Sequence, residues 1–283
     1  MARPLRIQAP GLIYHVTARG NAKMSIFLDA TDRRTFFRLL ARTFTRQDVQ
    51  CFAYCLMSNH YHLVIKTLQA NLSLTMQILN SAYAEWWNKR RRRVGHVLQG
   101  RFDAQVVQDG VYFLNACRYV VRNPVVAGMT AAPDEWPWSS YLATAGRRRP
   151  PSFLKTDAVL AAFHEVSRAA AVRRYCAFVG APDADSEPLP ATAVIGDDDY
   201  IDQFSDWFVS ASEEVPARER TTRPTLESLF SGAVTRRRRN AQAIEATQFG
   251  YSVVVIARHL DVDPSTVYKV VRASRAALVV RED

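Results

Sequence analysis

Two histidines separated by one residue are the first feature of the sequence that could do chemistry. His60 and His62 lie in the stretch MSNHYHLVIK, which is otherwise typical of a β-strand. Because alternate side chains of a strand point to the same face, the two imidazoles share one face, and Tyr61, Leu63 and Ile65 share the other. We therefore expect the imidazole face to look away from the core toward a cleft, where both rings can bind one divalent cation. The alternative is a pair of surface histidines on a β-hairpin.

A tyrosine and an asparagine are spaced so that they could join this site. Tyr119 and Asn123 are four residues apart in VYFLNACRYVVRNP, which predicts that they lie on one helix face. Pro124 should end that helix, and the side-chain oxygen of Asn123 could then complete a metal site. A tyrosine hydroxyl has a pKa of about 10, so as a nucleophile it needs a nearby cation, which also polarises a phosphodiester. The alternative is that the ring of Tyr119 only packs against the core while its hydroxyl is in water.

The charge of the chain favours a polyanionic partner. The 283 residues carry a net charge of +10, yet ten acidic and no basic residues lie between Asp183 and Glu214, so the remainder carries +20. Basic runs occur at residues 89–93, 147–149 and 236–239. Such runs attract phosphates and release their counterions, which favours nucleic acid over the alternative of solvated helix ends.

Other classes of protein fit the sequence poorly. No apolar run reaches the roughly 20 residues of a membrane span, and the N-terminus has no signal-peptide pattern. The four cysteines form no CxxC pair, so we expect reduced, mostly buried thiols and no zinc ribbon. We expect a cytoplasmic protein, associated with the bacterial nucleoid, with no membrane partner.

The elements that must position the candidate residues alternate between strand and helix. Residues 12–20 alternate as a strand, and residues 29–47 have apolar side chains at helical spacing. Two apolar runs around Ser58 and Asn59 predict a hairpin, and a second amphipathic helix follows. The third helix is the one that carries Tyr119. This order predicts an α+β fold, with a mostly antiparallel sheet covered by helices.

The rest of the chain is predicted to be helical around an acidic linker. Residues 146–182 form a helical extension, residues 183–224 are the linker, in which YIDQFSDWF could form a short helix, and residues 225–283 end in helix, tight turn, helix. Ser252 and Asp263 or Ser265 are candidate N-caps there. A helix-turn-helix places its second helix in the major groove of duplex DNA. The candidate contacts are therefore Ser265, Thr266, Tyr268, Lys269 and Arg272. The alternative is a small bundle used for packing or self-association.

Five motifs in order resemble one family. They are YHVTARGN, CLMSNHYHLVI, LQGRF, YVVRNPVVAGM and WPWSSY, and they cover about half of the chain, within residues 1–145. The combination resembles the REP-associated tyrosine transposases, a branch of the single-tyrosine HUH (His-hydrophobe-His) transposases. The end of the chain weakly resembles the DNA-binding end of the bacterial replication initiator DnaA.

The resemblance implies a ferredoxin-like HUH endonuclease fold and a role for each candidate residue. His60, His62 and Asn123 would bind Mg²⁺ or Mn²⁺, and Tyr119 would attack a single-stranded DNA phosphate, which leaves a 5′-phosphotyrosine and a free 3′-OH. The implied partner is an imperfect palindrome folded as a hairpin, bound by a monomer or a homodimer. A second 3′-OH could reverse the step and rejoin strands.

Basic and aromatic residues near the third motif are candidates for contact with this DNA. Lys89, Arg90 and Arg91 would meet the backbone together with Arg101, and Phe102 would stack on a base. The alternative is a basic loop anchored by one buried phenylalanine. His15 is expected to be structural or close to DNA, and the tryptophans of WPWSSY are expected to pack on the sheet.

Three functions remain open at this point. The first is a metal-dependent transposase that uses Tyr119, and the second is a non-catalytic DNA-binding regulator that uses the helix-turn-helix. The third, a metal-dependent hydrolase with water as the nucleophile, would not need Tyr119.

Overall fold

The computed structural model describes residues 6–181, 189–190, 192–204, 226–231, 235–248, 251 and 253–279. In this part the chain divides into two units, one formed by residues 6–197 and the other beginning at Asp198.

A five-stranded sheet forms the centre of the first unit. Its strands are β1 (Ile13–Arg19), β2 (Val49–Leu56), β3 (His60–Thr67), β4 (Asp103–Val107) and β5 (Val194–Ile195). They lie in the order β2-β3-β1-β4-β5. The pairs among β1 to β4 are antiparallel, and β5 runs parallel to β4. The predicted α+β class with a mostly antiparallel sheet is confirmed.

The turn between β2 and β3 is held in place from outside the hairpin. The amide of Met57 donates to the carbonyl of His60 over 2.9 Å, and the carbonyl of Ser58 accepts from the amides of Ile26 and Phe27, each over 2.9 Å. Because the segment before the first helix fixes this turn, the start of β3 and its first histidine are fixed as well.

Two long helices, α1 (Ala30–Arg46) and α2 (Leu72–Arg91), cover one face of the sheet. Tyr61 of β3 is fully buried there, with its ring centroid 4.8 Å from that of Phe36, and its hydroxyl donates to Oδ1 of Asn80 over 2.6 Å. Asp29 and Asp32 form a capping box at the start of α1. This face is the apolar one that the alternation in β3 predicts.

A second core layer covers the opposite face, which also carries the imidazoles. Its helices are α3 (Val111–Val126), α4 (Tyr141–Thr144), α5 (Thr156–Ala161) and α6 (Arg168–Gly180). Ile13 and Val64 pack there with Val120 of α3, and His62 is only 6% exposed. The expectation that the imidazole face looks away from the core is therefore wrong. The reason is that Ile13 and Val64, which share this face with the histidines, pack against α3.

The strands β4 and β5 are absent from the sequence prediction. A two-residue strand has no periodicity to detect, and β5 lies inside the acidic segment, residues 183–224, that the sequence predicts to be a linker. Val194 and Ile195 are 3% and 4% exposed, and both are hydrogen-bonded neighbours of β4. The chain therefore stays on the first unit up to Asp197, because β4 offers an edge on which it can pair.

The helix α3 does not end before Pro124. Proline removes only one backbone donor, and the helix continues to Val126. It ends at Gly128, which has φ +65°. The amide of Gly128 donates to the carbonyl of Val125 and the amide of Met129 to that of Pro124, over 2.9 and 2.8 Å, which is a Schellman motif. Asn123 consequently lies inside the helix.

The second unit is helical. It contains α7 (Asp198–Asp202), α8 (Leu226–Phe230), α9 (Arg236–Gln248), α10 (Val253–Leu260) and α11 (Pro264–Val279). Phe230, Ala246, Ile256 and Val267 meet in its core. The helix predicted at YIDQFSDWF is present as α7 up to Asp202, and its residues from Ser205 onward lie outside the described part, as does Ser252.

The last two helices follow each other across residues 261–263, where a helix-turn-helix is predicted. Asp263 caps the second one, because its Oδ1 accepts from the amide of Ser265 over 2.8 Å. The DNA-binding use of this pair stays a prediction. Among the helices of the described ranges, none has both the length and the apolar character needed to cross a membrane.

Candidate active site

The register of β1 against β3 brings three histidines to one patch of the sheet. Thr17 lies opposite His62, and Arg19 lies opposite His60. His15, two residues earlier on the same face of β1, then lies diagonal to His62. The rings of His15 and His62 stack with centroids 5.3 Å apart and an interplanar angle of 4°, and the ring of His60 lies 4.9 Å from that of His62.

Hydrogen bonds fix these rings. Nε2 of His15 lies 3.0 Å from Nδ1 of His62, and Nδ1 of His15 lies 3.0 Å from Oε1 of Gln105 on β4. Nδ1 of His60 lies 2.6 Å from Oδ1 of Asn59. Each histidine therefore uses one ring nitrogen, or both, for contacts inside the protein.

Burial keeps the imidazoles neutral. It lowers the pKa of His15 and lowers that of His62 well below the usual value, where the neighbouring histidines and Arg19 act in the same direction. Burial, with the charge of Arg19, also lowers the pKa of His60 to about 4. A neutral imidazole is the form that binds a metal ion.

The helix α3 places Tyr119 over these rings. Its ring is edge-on to His15 and to His62, with centroid distances of 5.6 and 5.7 Å. Partial burial raises the pKa of the Tyr119 hydroxyl, while the Asn123 side chain and the Arg19 charge act to lower it. The hydroxyl is thus protonated at rest, and two groups are in place to favour its anion.

Asn123 lies one turn further along α3. Its amide nitrogen donates to the carbonyl of Tyr119 over 2.9 Å. A carbonyl can only accept, so this contact identifies the nitrogen end of the amide, and Oδ1 is its acceptor end. The structure therefore places Tyr119 edge-on to His62, with His60 beside His62 and Asn123 one helical turn from Tyr119.

The donor atoms of this site fit a divalent cation. Nε2 of His62 is buried and has no hydrogen-bond partner among the described residues, although buried polar atoms are normally satisfied. The amide oxygen of Asn123 is a ligand type that suits Mg²⁺ or Mn²⁺. In the described ranges, no three His, Cys, Asp or Glu side chains are grouped so that they could hold a metal ion. The predicted ligand set takes its third member from the Asn123 amide.

The basic residues at the end of α2 divide into two groups. Lys89 is exposed. Arg90 and Arg91 pair with Asp32, each over 2.5 Å, and Arg90 also pairs with Asp29 over 2.8 Å. The charges of both arginines are therefore shared with carboxylates of α1, and Lys89 is the better candidate for a phosphate contact.

The LQGRF motif shows a similar division. Arg101 is exposed, whereas Phe102 is 6% exposed and lies under the guanidinium of Arg6, 3.8 Å from its ring centroid. The burial of Phe102 agrees with the alternative interpretation, in which this residue anchors a basic loop. Its ring is not exposed for stacking on a base.

In the second unit, four of the five predicted contacts lie on the surface of α11, among them Ser265. Thr266, Tyr268 and Lys269 are exposed, with Tyr268 at 50%. The side chain of Arg272 lies outside the described part. Arg236, Arg237 and Arg238 are exposed at the start of α9.

Three residues of the site have no catalytic role in the sequence prediction. They are His15, Arg19 and Gln105. The sheet register places His15 and Arg19 diagonal to His62, and it places Gln105 opposite His15. The alternation of β1 puts His15, Thr17 and Arg19 on one face, which is a usable signal. Gln105 gives no signal, because its strand was not predicted.

The sequence and the fold were compared with known proteins. Residues 8–123 match the family described as "Transposase IS200 like". A comparison with curated proteins finds no match. One similar solved structure is a REP-associated tyrosine transposase bound to a REP hairpin, with 15% identity, a TM-score of 0.47, and coverage of 56% of this chain and 90% of that one. Another is the tRNA(His) guanylyltransferase of Saccharomyces cerevisiae, with 10% identity, a TM-score of 0.34, and coverage of 72% and 96%.

Proposed function

We propose, from the match of residues 8–123 to the IS200-like transposase family, that this protein is a metal-dependent transposase that nicks and rejoins single-stranded DNA through Tyr119. The observation that carries the proposal is the position of Tyr119, edge-on to two buried histidine rings and one helical turn from Asn123. A tyrosine that served packing alone would not need this polar surrounding.

The substrate we propose is a hairpin-forming palindrome of the REP type. The five motifs shared with the REP-associated tyrosine transposases support this choice. Lys89 and Arg101 are exposed in the first unit and are suited to contacts with a DNA backbone.

His60, His62 and Asn123 would hold Mg²⁺ or Mn²⁺. When bound, the cation would polarise the scissile phosphate and orient it for in-line displacement. Two observations support this set of ligands: Nε2 of His62 is buried without a hydrogen-bond partner among the described residues, and the Asn123 amide carries an acceptor oxygen one helical turn from Tyr119.

The residues of the chain would then perform a transesterification. Oη of Tyr119 loses its proton and attacks the phosphorus, the bond to the 3′ oxygen breaks, and that oxygen takes up a proton as a free 3′-OH. The product is a 5′-phosphotyrosine. Arg19 and the Asn123 amide stabilise the tyrosine anion on the way. Because the phosphotyrosine retains the diester energy, a 3′-OH can reverse the step and join strands without ATP.

The test is the formation of a covalent adduct. Labelled single-stranded hairpin DNA is incubated with the protein and Mg²⁺ or Mn²⁺, and the products are separated on a denaturing gel. We expect an adduct in the wild type, none in Tyr119→Phe, and at least a tenfold loss in His60→Ala and His62→Ala. The matched control is Tyr112→Phe, which removes a hydroxyl from the same helix and should leave the adduct unchanged.

The other two candidate functions predict different reaction products on the denaturing gel. Metal-dependent cleavage that survives Tyr119→Phe would indicate a hydrolase that uses water. Hairpin binding without cleavage in either metal would indicate a regulator. Either result contradicts the phosphotyrosine mechanism.

A further inference from the structure

The amide of Gln105 has only one possible orientation. Its nitrogen lies 2.5 Å from the carbonyl oxygen of Pro190 and 2.7 Å from that of Thr192. Both oxygens can only accept, so the NH₂ end of the amide must face them and both of its hydrogens are used. Oε1 of Gln105 is therefore the end that faces His15.

This orientation determines where the proton of His15 lies. Oε1 of Gln105 lies 3.0 Å from Nδ1 of His15, and an amide oxygen can only accept. Nδ1 of His15 must then carry the hydrogen. Because His15 is 4% exposed and burial favours the neutral ring, its Nε2 has no hydrogen and acts as an acceptor.

The same reasoning extends to His62. Nε2 of His15 lies 3.0 Å from Nδ1 of His62, so Nδ1 of His62 carries the hydrogen and donates it. In a neutral ring the other nitrogen is bare. That nitrogen is Nε2 of His62, the buried atom without a hydrogen-bond partner among the described residues.

We propose that Pro190 and Thr192, acting through Gln105 and His15, hold His62 in the Nδ1–H tautomer and so keep the lone pair of its Nε2 available to a cation. Gln105 and His15 are thus positioning residues, and together with His62 they form what we term the imidazole relay. The inference that this lone pair serves a metal rests on the proposed function, whereas the tautomer itself does not.

The relay assigns a role to a part of the chain outside the family match. Pro190 and Thr192 precede β5 and lie beyond residues 8–123. Hydrogen bonding of the second ring nitrogen is how proteins usually orient histidine ligands, and loss of such a partner typically weakens metal binding 10- to 100-fold. The extension would therefore stabilise the ligand geometry of the transposase core.

The experiment uses the full-length protein labelled with ¹⁵N-histidine and treated with EDTA. Long-range ¹H–¹⁵N correlation spectra report which nitrogen of each imidazole carries a hydrogen. We expect His62 to show a protonated Nδ1 and a bare Nε2, and His15 to show the same tautomer. A wild-type spectrum with hydrogen on Nε2 of His62 would overturn the proposal without any variant.

Gln105 and Gln108, which are three residues apart, supply a matched pair of variants. Gln105→Met removes the relay and its contacts to the extension. Gln108→Met removes only side-chain contacts to the extension, since Gln108 exchanges 2.8 Å hydrogen bonds with Asp197. We expect Gln105→Met to lose the single His62 tautomer and to bind Mn²⁺ 10- to 100-fold more weakly by electron paramagnetic resonance titration, with Gln108→Met like the wild type.

The remaining outcomes separate the relay from the proposed function. Equal losses in both glutamine variants, or none in Gln105→Met, would refute the relay, because the effect would then come from the extension or be absent. If Gln105→Met does not fold, His15→Phe keeps a ring of similar shape without the acceptor and should give the same weakening. A wild type that shows the expected tautomer but binds no Mn²⁺ would refute the metal site and leave the relay standing.

Discussion

At the scale of single residues, burial decides the chemistry of the site. The histidines at positions 15 and 62 are 4% and 6% exposed, and desolvation lowers the pKa of each. The same burial raises the pKa of Tyr119. The site thus keeps its imidazoles neutral and Tyr119 protonated, so that in the proposed mechanism activation depends on what binds there.

This burial predicts an acid-sensitive fold for the metal-free protein. His60 has a folded pKa of about 4, below the unfolded value of 6.5, so between these values the unfolded chain binds more protons and stability falls as the pH falls. From pH 7 to pH 5 we expect His60 alone to lower the free energy of unfolding by about 1–2 kcal/mol. Urea denaturation in EDTA at both pH values measures it.

The matched variants are two histidine substitutions. His60→Asn should reduce the loss between pH 7 and pH 5, whereas His96→Asn, at an exposed position outside the cluster, should not. A wild type that is equally stable at both pH values, or more stable at pH 5, would contradict the prediction.

At the scale of elements, a buried carboxylate joins the two helices that support β3. Asp32 on α1 is fully buried and accepts from Arg90 and Arg91 of α2, and it also takes part in the capping box. A basic run that looks from the sequence like a nucleic-acid contact therefore contributes two of its members to helix packing.

We predict that Asp32→Ala is strongly destabilising. It leaves the guanidinium of Arg91 partly buried without its carboxylate and removes half of the capping box, and breaking such a buried pair costs about 3–5 kcal/mol. Denaturation by urea measures the change. Asp134→Ala is the control, because its ion pair with Arg147 is exposed on both sides and such pairs contribute about 0–1 kcal/mol. Similar losses in the two variants would contradict the structural role of Asp32.

At the scale of the whole molecule, the two units separate two predicted kinds of DNA contact. The site around Tyr119 belongs to residues 6–197, and the exposed residues of α11 belong to the unit that begins at Asp198. We propose that the first unit takes the single-stranded hairpin and that α11 takes duplex DNA.

Lys269→Ala tests the second part of this division. If Lys269 contacts a phosphate, the variant should bind duplex DNA more weakly whatever the sequence, and the slope of log affinity against log salt should fall by about 1. Fluorescence anisotropy at several salt concentrations measures both, and Lys155→Ala in the first unit is the control. An unchanged slope in Lys269→Ala would refute a phosphate contact there, and adduct formation should be unaffected in both variants.

The sequence by itself determined the parts of this protein that depend on local periodicity. The alternation in β3 predicts that His60 and His62 share a face, and the spacing of four residues predicts that Tyr119 and Asn123 share another. The α+β class follows from the order of such segments, and the resemblance to a transposase family rests on motifs that these segments contain.

Only the tertiary structure decided what lies next to what. The antiparallel register places His15 diagonal to His62, and the pairing of β4 with β1 brings Gln105 to His15. The two-residue β5 has no periodicity, yet it holds Pro190 and Thr192 against Gln105 because β4 offers it an edge. Which side chains share a face of a strand or helix is determined by a few consecutive residues of the chain. The contacts that fix a tautomer or bury a charge join residues up to 90 positions apart, and only the packed fold brings these together.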